Sequence, residues 1–227
     1  MDRSIRLFVS IALLALITAC GPGDNSSSYT TASFPLNNAL SAFMQMSNTY
    51  ALYATDSGDI YALTVFWRVN APDTFNGTAA FTTNIGHNLS ENQLQLGNST
   101  TREYYLLGPY ELLGSLNQQS GQYSTVASDQ VALPATATIG QHGPLYTQTT
   151  YTDTTLTIAN GSETATWSLN PATGSDAYLC ITSNGNIGAS QHYESDCFLM
   201  DTSGNILGVQ VALLVNGKIL NFVPINL

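Results

Sequence analysis

Charge is what this chain has least of. Only 9% of its 227 residues are Asp, Glu, Lys or Arg, the basic residues number five, and the formal net charge is −10. A body so poor in cations has no electrostatic footprint for nucleic acid, and an anionic lipid surface repels it. Catalytic signatures are missing too. There is no G-x-S-x-G, H-E-x-x-H, G-x-x-x-x-G-K or EF-hand loop, which removes the commonest hydrolase, zinc-protease, nucleotide and calcium readings. Histidine occurs three times, at His87, His142 and His192, without metal-ligand spacing. Cysteine occurs three times, and no pair has C-x-x-C spacing. No cofactor is indicated.

What the chain does have is Thr, Ser, Asn, Gln and Tyr, interleaved with recurring apolar residues. That mixture suits a folded, exported β protein. It does not suit a disordered chain, which could not bury enough apolar surface.

The one long apolar run is near the start. Arg3 and Arg6 precede LFVSIALLALI at 7–17, and Thr18 and Ala19 follow. A basic start, a short apolar stretch and a small-residue end read as an export signal. The run is too short for a transmembrane helix, which needs about 20 residues. The segment ends Ile17-Thr18-Ala19-Cys20. This resembles the lipobox of bacterial lipoprotein precursors. The resemblance covers only the first residues of the chain, and it implies lipid attachment at Cys20 after removal of 1–19. Several acyl chains on one residue hold a protein lastingly, at about 0.8 kcal/mol per buried CH₂. Gly21, rather than Asp, follows the cysteine, which in that family favours the outer membrane, facing the periplasm or the cell surface. Residues 20–34 lack large aliphatics until Phe34 and read as a tether.

In an oxidising compartment the remaining cysteines, Cys180 and Cys197, are expected to form a disulfide. In the chain-entropy account a loop of this size contributes roughly 3 kcal/mol.

The folded part is expected to be mainly β, as sandwich-like antiparallel sheets with one N-terminal helix. Ser33 is placed to cap that helix and Pro35 suits its first turn. Leu36, Ala39, Leu40, Phe43 and Met44 form its apolar stripe. In DIYALTVFWRVN, Tyr61, Leu63, Val65, Trp67 and Val69 share one face, so Trp67 reads as core rather than as a sugar-stacking platform. Asn216-Gly217 is the strongest hairpin signal. It sets Val215 opposite Lys218, Leu213 opposite Leu220 and Val211 opposite Phe222. FWRVNAP at 66–72 and TWSLNPA at 166–172 suggest two related β units, 35–130 and 131–227. On that alignment Phe81 and Tyr104 make the contact that Cys180 and Cys197 make in the second unit.

One stretch collects reactive types. In SQHYESDC at 190–197, Ser190, His192, Glu194 and Asp196 fall on one face at period two. Neighbours two apart on a strand stand about 7 Å apart, too far for a triad, which needs contacts near 3 Å. The face therefore reads as solvated, with Tyr193 and Cys197 turned inward. Asp56, Asp59 and Asp201 lie in DSGD and DTSGN, where Asp and Gly serve the turn backbone. The composite expectation is a lipid-anchored envelope protein with a non-catalytic binding or structural role. The alternative is an envelope hydrolase on the His192/Glu194 face. No motif specifies a protein or a saccharide ligand.

The lipobox reading yields a direct expectation. Cys20→Ser will abolish partition into detergent and incorporation of labelled palmitate. Identical behaviour of mutant and wild type contradicts it.

Overall fold

The computed structural model describes residues 32–224. The signal-like segment, Cys20 and most of the tether lie outside them. The described chain is one helix, α1 (Leu36–Met44), followed by thirteen strands: β1 (Asn48–Asp56), β2 (Asp59–Val69), β3 (Asp73–Phe75), β4 (Thr78–Glu91), β5 (Leu94–Leu106), β6 (Glu111–Asn117), β7 (Tyr123–Val126), β8 (His142–Tyr151), β9 (Ala159–Pro171), β10 (Ala177–Ile187), β11 (Ser190–Met200), β12 (Ile206–Val215) and β13 (Lys218–Pro224).

The chain is mainly β with one helix, as expected, but the sheet does not open into a sandwich. Sequential antiparallel neighbours run from β4 to β13, β13 pairs with β1, and β2 joins β1 to β4. Twelve strands thus close into a barrel, with β3 appended to β4. Closure removes the unpaired edges that a sandwich retains. β7 pairs with β8, so both halves of the chain contribute to one closed sheet.

Width decides how the interior is filled. About eight strands enclose a space that their own side chains fill. Twelve leave a wider lumen, and α1 fills one end of it. Leu36, Ala39, Leu40, Phe43 and Met44 are all buried, so the predicted stripe is the face that inserts. Phe43 meets Trp67 of β2 edge-on at 5.1 Å and Phe198 of β11 at 5.0 Å. Trp67 and Phe198 are themselves 6.2 Å apart. Truncating an aromatic at such a site costs about 3–5 kcal/mol. Trp67 is core, with Leu63 and Val65, but Val69 is exposed where β2 leaves the barrel.

The helix ends are held by backbone groups and by Asn37. The Met44 carbonyl accepts from Tyr105 Oη at 2.9 Å and Thr83 Oγ1 at 3.1 Å, satisfying a C-terminal orphan acceptor. Asn37 Nδ2 donates to the Leu133 carbonyl, and its Oδ1 accepts from the Tyr110 amide. This one side chain clips the short 107–110 connection and the long 127–141 connection over the helix end of the barrel. The expected Ser33 cap is not made. Pro35 occupies the cap position and no side chain caps the helix, because Phe34 is drawn into backbone pairing with Ala137.

The C-terminal hairpin has the expected register at all three pairs. Asn216 and Gly217 both take positive φ, 50° and 79°. Cys180 and Cys197 face each other on β10 and β11 and are disulfide-bonded. The Phe81–Tyr104 contact is not made. Phe81 pairs with Tyr105 and stacks on it at 6.3 Å, whereas Tyr104 lies opposite Thr82 and packs on Phe75. An offset of one residue turns a side chain to the other face. Tyr104 is therefore outside the barrel, where Phe75, Ala80 and Tyr123 complete a second small core under β3.

The hairpin gives the second expectation. Gly217→Val should cost on the order of 1–3 kcal/mol through φ strain alone, since open space surrounds the site. Gly208→Val, equally open but without positive φ, should lower the melting temperature much less. Equal effects of the two contradict the turn assignment.

Candidate functional site

Away from α1, the barrel is hollow. The cavity measures about 390 Å³. Its inner end is apolar, bounded by Leu40, Met44, Trp67, Leu133, Leu145 and Phe198. The rest of the lining is polar and strongly acidic: Glu103 on β5, beside Tyr110, Glu111 on β6, and, toward the hairpin end, Glu163 on β9 and Glu194 and Asp196 on β11, with His87 on β4 and His192 on β11. The hollow opens at that end. His192 is 32% exposed, while Glu163, deeper in, is 5% exposed.

Strand alternation explains this arrangement. On β9 the inward series is Glu163, Ala165, Trp167 and Leu169, and all four are buried. The outward series is Ser162, Thr164, Thr166, Ser168 and Asn170. β10 likewise turns Leu179 and Ile181 in and Thr182, Asn184 and Asn186 out. A membrane-spanning barrel has the reverse alternation, apolar outward and polar inward.

The polar face of β11 corrects the sequence expectation. Ser190, His192, Glu194 and Asp196 belong to the inward side, and Tyr193 and Cys197 are turned outward. The period was legible, but its direction was not. Around a hollow, a polar face can point inward without being packed against apolar groups.

Within the hollow, groups from opposite walls converge. His87 Nε2 lies 3.3 Å from Glu194 Oε1, although β4 and β11 are far apart around the barrel. The contact is an ion-pair distance without hydrogen-bond alignment, since His87 Nε2 has no hydrogen-bond partner. His192 Nε2 sits 3.8 Å from Glu163 and 3.9 Å from Glu194. Gln148 Nε2 donates to Glu163 Oε2 at 2.8 Å, leaving its own Oε1 buried and unpartnered. Asp196 Oδ1 is also buried and unpartnered. The donor atoms of His87, Glu194 and Asp196 all lie within 4.8 Å of one another. Sequence reading named His192 and Glu194 but missed His87, Glu103 and Glu163. These come from strands distant in sequence, and only barrel closure brings them together.

The electrostatics follow from crowding carboxylates in a hollow without Lys or Arg in its lining. Burial, reinforced by the charge of Glu194, pushes the Glu103 carboxyl up to about 7, with a Tyr110 hydrogen bond opposing. Burial, then Glu194 and Glu103, holds Asp196 well above the usual carboxylate range. Burial, then Glu103, raises Tyr146.

The acidic turns are structural. Asp201 Oδ1 accepts from the amides of Ser203 and Asn205, both at 2.9 Å. Asp56 pairs with Lys218, and Ser57-Gly58 takes the positive φ values of the turn.

The class this geometry defines is a closed, twelve-stranded antiparallel barrel with an acidic, ligand-sized hollow; its outward face carries hydroxyl and amide groups on β9 and β10 and exposed aliphatics, Ile60, Ile219 and Val223, on β2 and β13. Comparison with protein-family models, with characterised proteins and with solved structures gives no match to the chain.

Glu103 gives the third expectation. Its folded pKa is raised, so the folded chain binds this proton more tightly than the unfolded one. The stabilisation is complete below the ordinary carboxyl range and is lost as pH rises toward about 7. The melting temperature should therefore fall between about pH 5 and about pH 7.5, and Glu103→Gln should flatten that fall. A wild-type melting temperature that rises across this window contradicts the assignment.

Proposed function

We propose that this chain is a lipid-anchored bacterial envelope protein, attached through Cys20, whose barrel binds a small positively charged ligand without transforming it. The observation that carries the reading is the hollow itself. Five carboxylates line it, no Lys or Arg side chain in the lining balances them, and an apolar floor lies beyond. Two buried acceptors, Asp196 Oδ1 and Gln148 Oε1, have no donor. Burying carboxylates together is costly unless something neutralises them. A ligand with a cationic group and an apolar part satisfies both regions.

The anchoring part rests on the resemblance of Ile17-Thr18-Ala19-Cys20 to a lipobox. The fold is consistent with it. Phe34 enters at the closed, α1 end, and the hollow opens among the hairpins at the other end. An anchor at Cys20 would thus attach through the tether at the closed end, opposite the mouth. The outward Thr, Ser and Asn of β9 and β10 suit water rather than lipid.

The hydrolase alternative gains a cavity lined by hydroxyls, Ser183 and Ser124 among them, but none of them is paired with His192. His192 Nε2 is near carboxylates only, and among the described residues no hydroxyl or thiol is hydrogen-bonded to its ring. The outward turn of Cys197 and its disulfide take that thiol out of use.

Trp67 lines the floor and serves as the reporter. Dodecylammonium, below its micellar concentration, should quench Trp67 fluorescence saturably in Trp167→Phe protein. Dodecyl sulfate should not. Glu163→Gln combined with Glu194→Gln should weaken dodecylammonium binding at least tenfold. Equal binding of the anionic and cationic amphiphiles, or no binding of either, contradicts the reading.

A further inference from the structure

We infer that His87, Glu194 and Asp196 form a binding site for a divalent transition-metal ion of the Zn²⁺ type, and that the cation taken up by the hollow is such an ion, bare or carried by a small chelator. This rests on the reading of the hollow as a cation-binding cavity and names the cation.

The donor set favours a metal ion over an organic cation. An organic ammonium group needs acceptors and gains little from an imidazole. Here an imidazole nitrogen is placed among the carboxylates. His87 Nε2 and Asp196 Oδ1 are both shut off from solvent, and neither has a hydrogen-bond partner. One nitrogen and two carboxylate donors suit Zn²⁺ and its first-row neighbours, whereas Ca²⁺ and Mg²⁺ favour oxygen alone.

Geometry agrees. Ligands about 2.1 Å from a tetrahedral ion stand roughly 3.4 Å from each other. His87 Nε2 and Glu194 Oε1 are 3.3 Å apart. Asp196, two residues along the same face of β11, brings the third donor within 4.8 Å of both.

Topology adds a third point. β4 and β11 are not neighbours in the sheet, so nothing in strand pairing requires these groups to meet. An ion held between them joins opposite walls of the hollow at its polar end, as Phe43 joins them at its apolar end. Open coordination positions would face the cavity, where His192 and Glu163 stand next in line and a chelator's apolar part reaches Trp67 and Phe198.

The test uses the full-length chain in detergent, stripped with a chelator and dialysed against Zn²⁺. One ion per chain is expected. His87→Ala and Asp196→Asn should each lower the affinity at least tenfold. His142→Ala, at the exposed closed end, should leave it unchanged. Near-ultraviolet circular dichroism identifies variants that fold. Co²⁺ should give the visible spectrum of a nitrogen- and oxygen-ligated tetrahedral ion, altered in His87→Ala. The inference is overturned if Zn²⁺ fails to bind, if His87→Ala binds as wild type does, or if Ca²⁺ competes equally. Loss of metal binding alongside intact dodecylammonium quenching overturns the metal assignment alone. Loss of both overturns the cation-binding reading as well.

Discussion

Phe43 sits between Trp67 and Phe198, and the rest of the molecule depends on that contact. A twelve-stranded barrel is too wide for its wall residues to fill. Without a plug, its apolar inward residues would line a wet channel. α1 supplies the plug at one end, and its aromatic joins β2 to β11 across the lumen. Asn37 then ties the 107–110 and 127–141 connections over the helix. The interior is consequently divided into a packed half and a hollow half. Position along each inward strand face decides which residues are core and which line the cavity.

That division explains how a chain with so little charge concentrates it. Glu103, Glu163, Glu194 and Asp196 come from three strands, and each occupies an inward position in the hollow half. Placed in the packed half, any of them would face an apolar core and need a partner. Placed outside, they would be ordinary solvated groups. In the hollow, burial first and then mutual repulsion lift the carboxyl pKa values of Glu103 and Asp196, the carboxylates crowd without a cation, and acceptors are left unpaired. A cation relieves all three effects at once. The Cys180–Cys197 bond lies on the outer face of the same β10–β11 hairpin. It braces the strand that carries Glu194 and Asp196 without entering the hollow.

Local features were legible in the sequence, and non-local ones were not. The α1 stripe, the Asn216-Gly217 register and the Cys180–Cys197 pairing each depend on a few neighbouring residues, and periodicity or turn chemistry suffices for them. Barrel closure depends on β1 meeting β13 through Leu52–Pro224 and Tyr53–Val223. It depends equally on β2 reaching β4 past the β3 excursion, and neither pairing has a local signal. The SQHYESDC face shows the limit clearly. Alternation separates two faces but does not say which is inside. A polar face is ordinarily the wet one, and here the wet side is the interior. His87 carries no local signal of its role, because its partner is 107 residues away.

The central claim is that the acidic hollow holds a cation between β4 and β11. A crystal structure of the chain isolated from its native envelope, with anomalous data collected on both sides of the zinc edge, tests it most directly. The account predicts an anomalous peak within bonding distance of His87 Nε2, Glu194 and Asp196. A structure in which Asp196 and Glu194 instead share a carboxyl–carboxylate hydrogen bond, with no atom between them and His87, would contradict it.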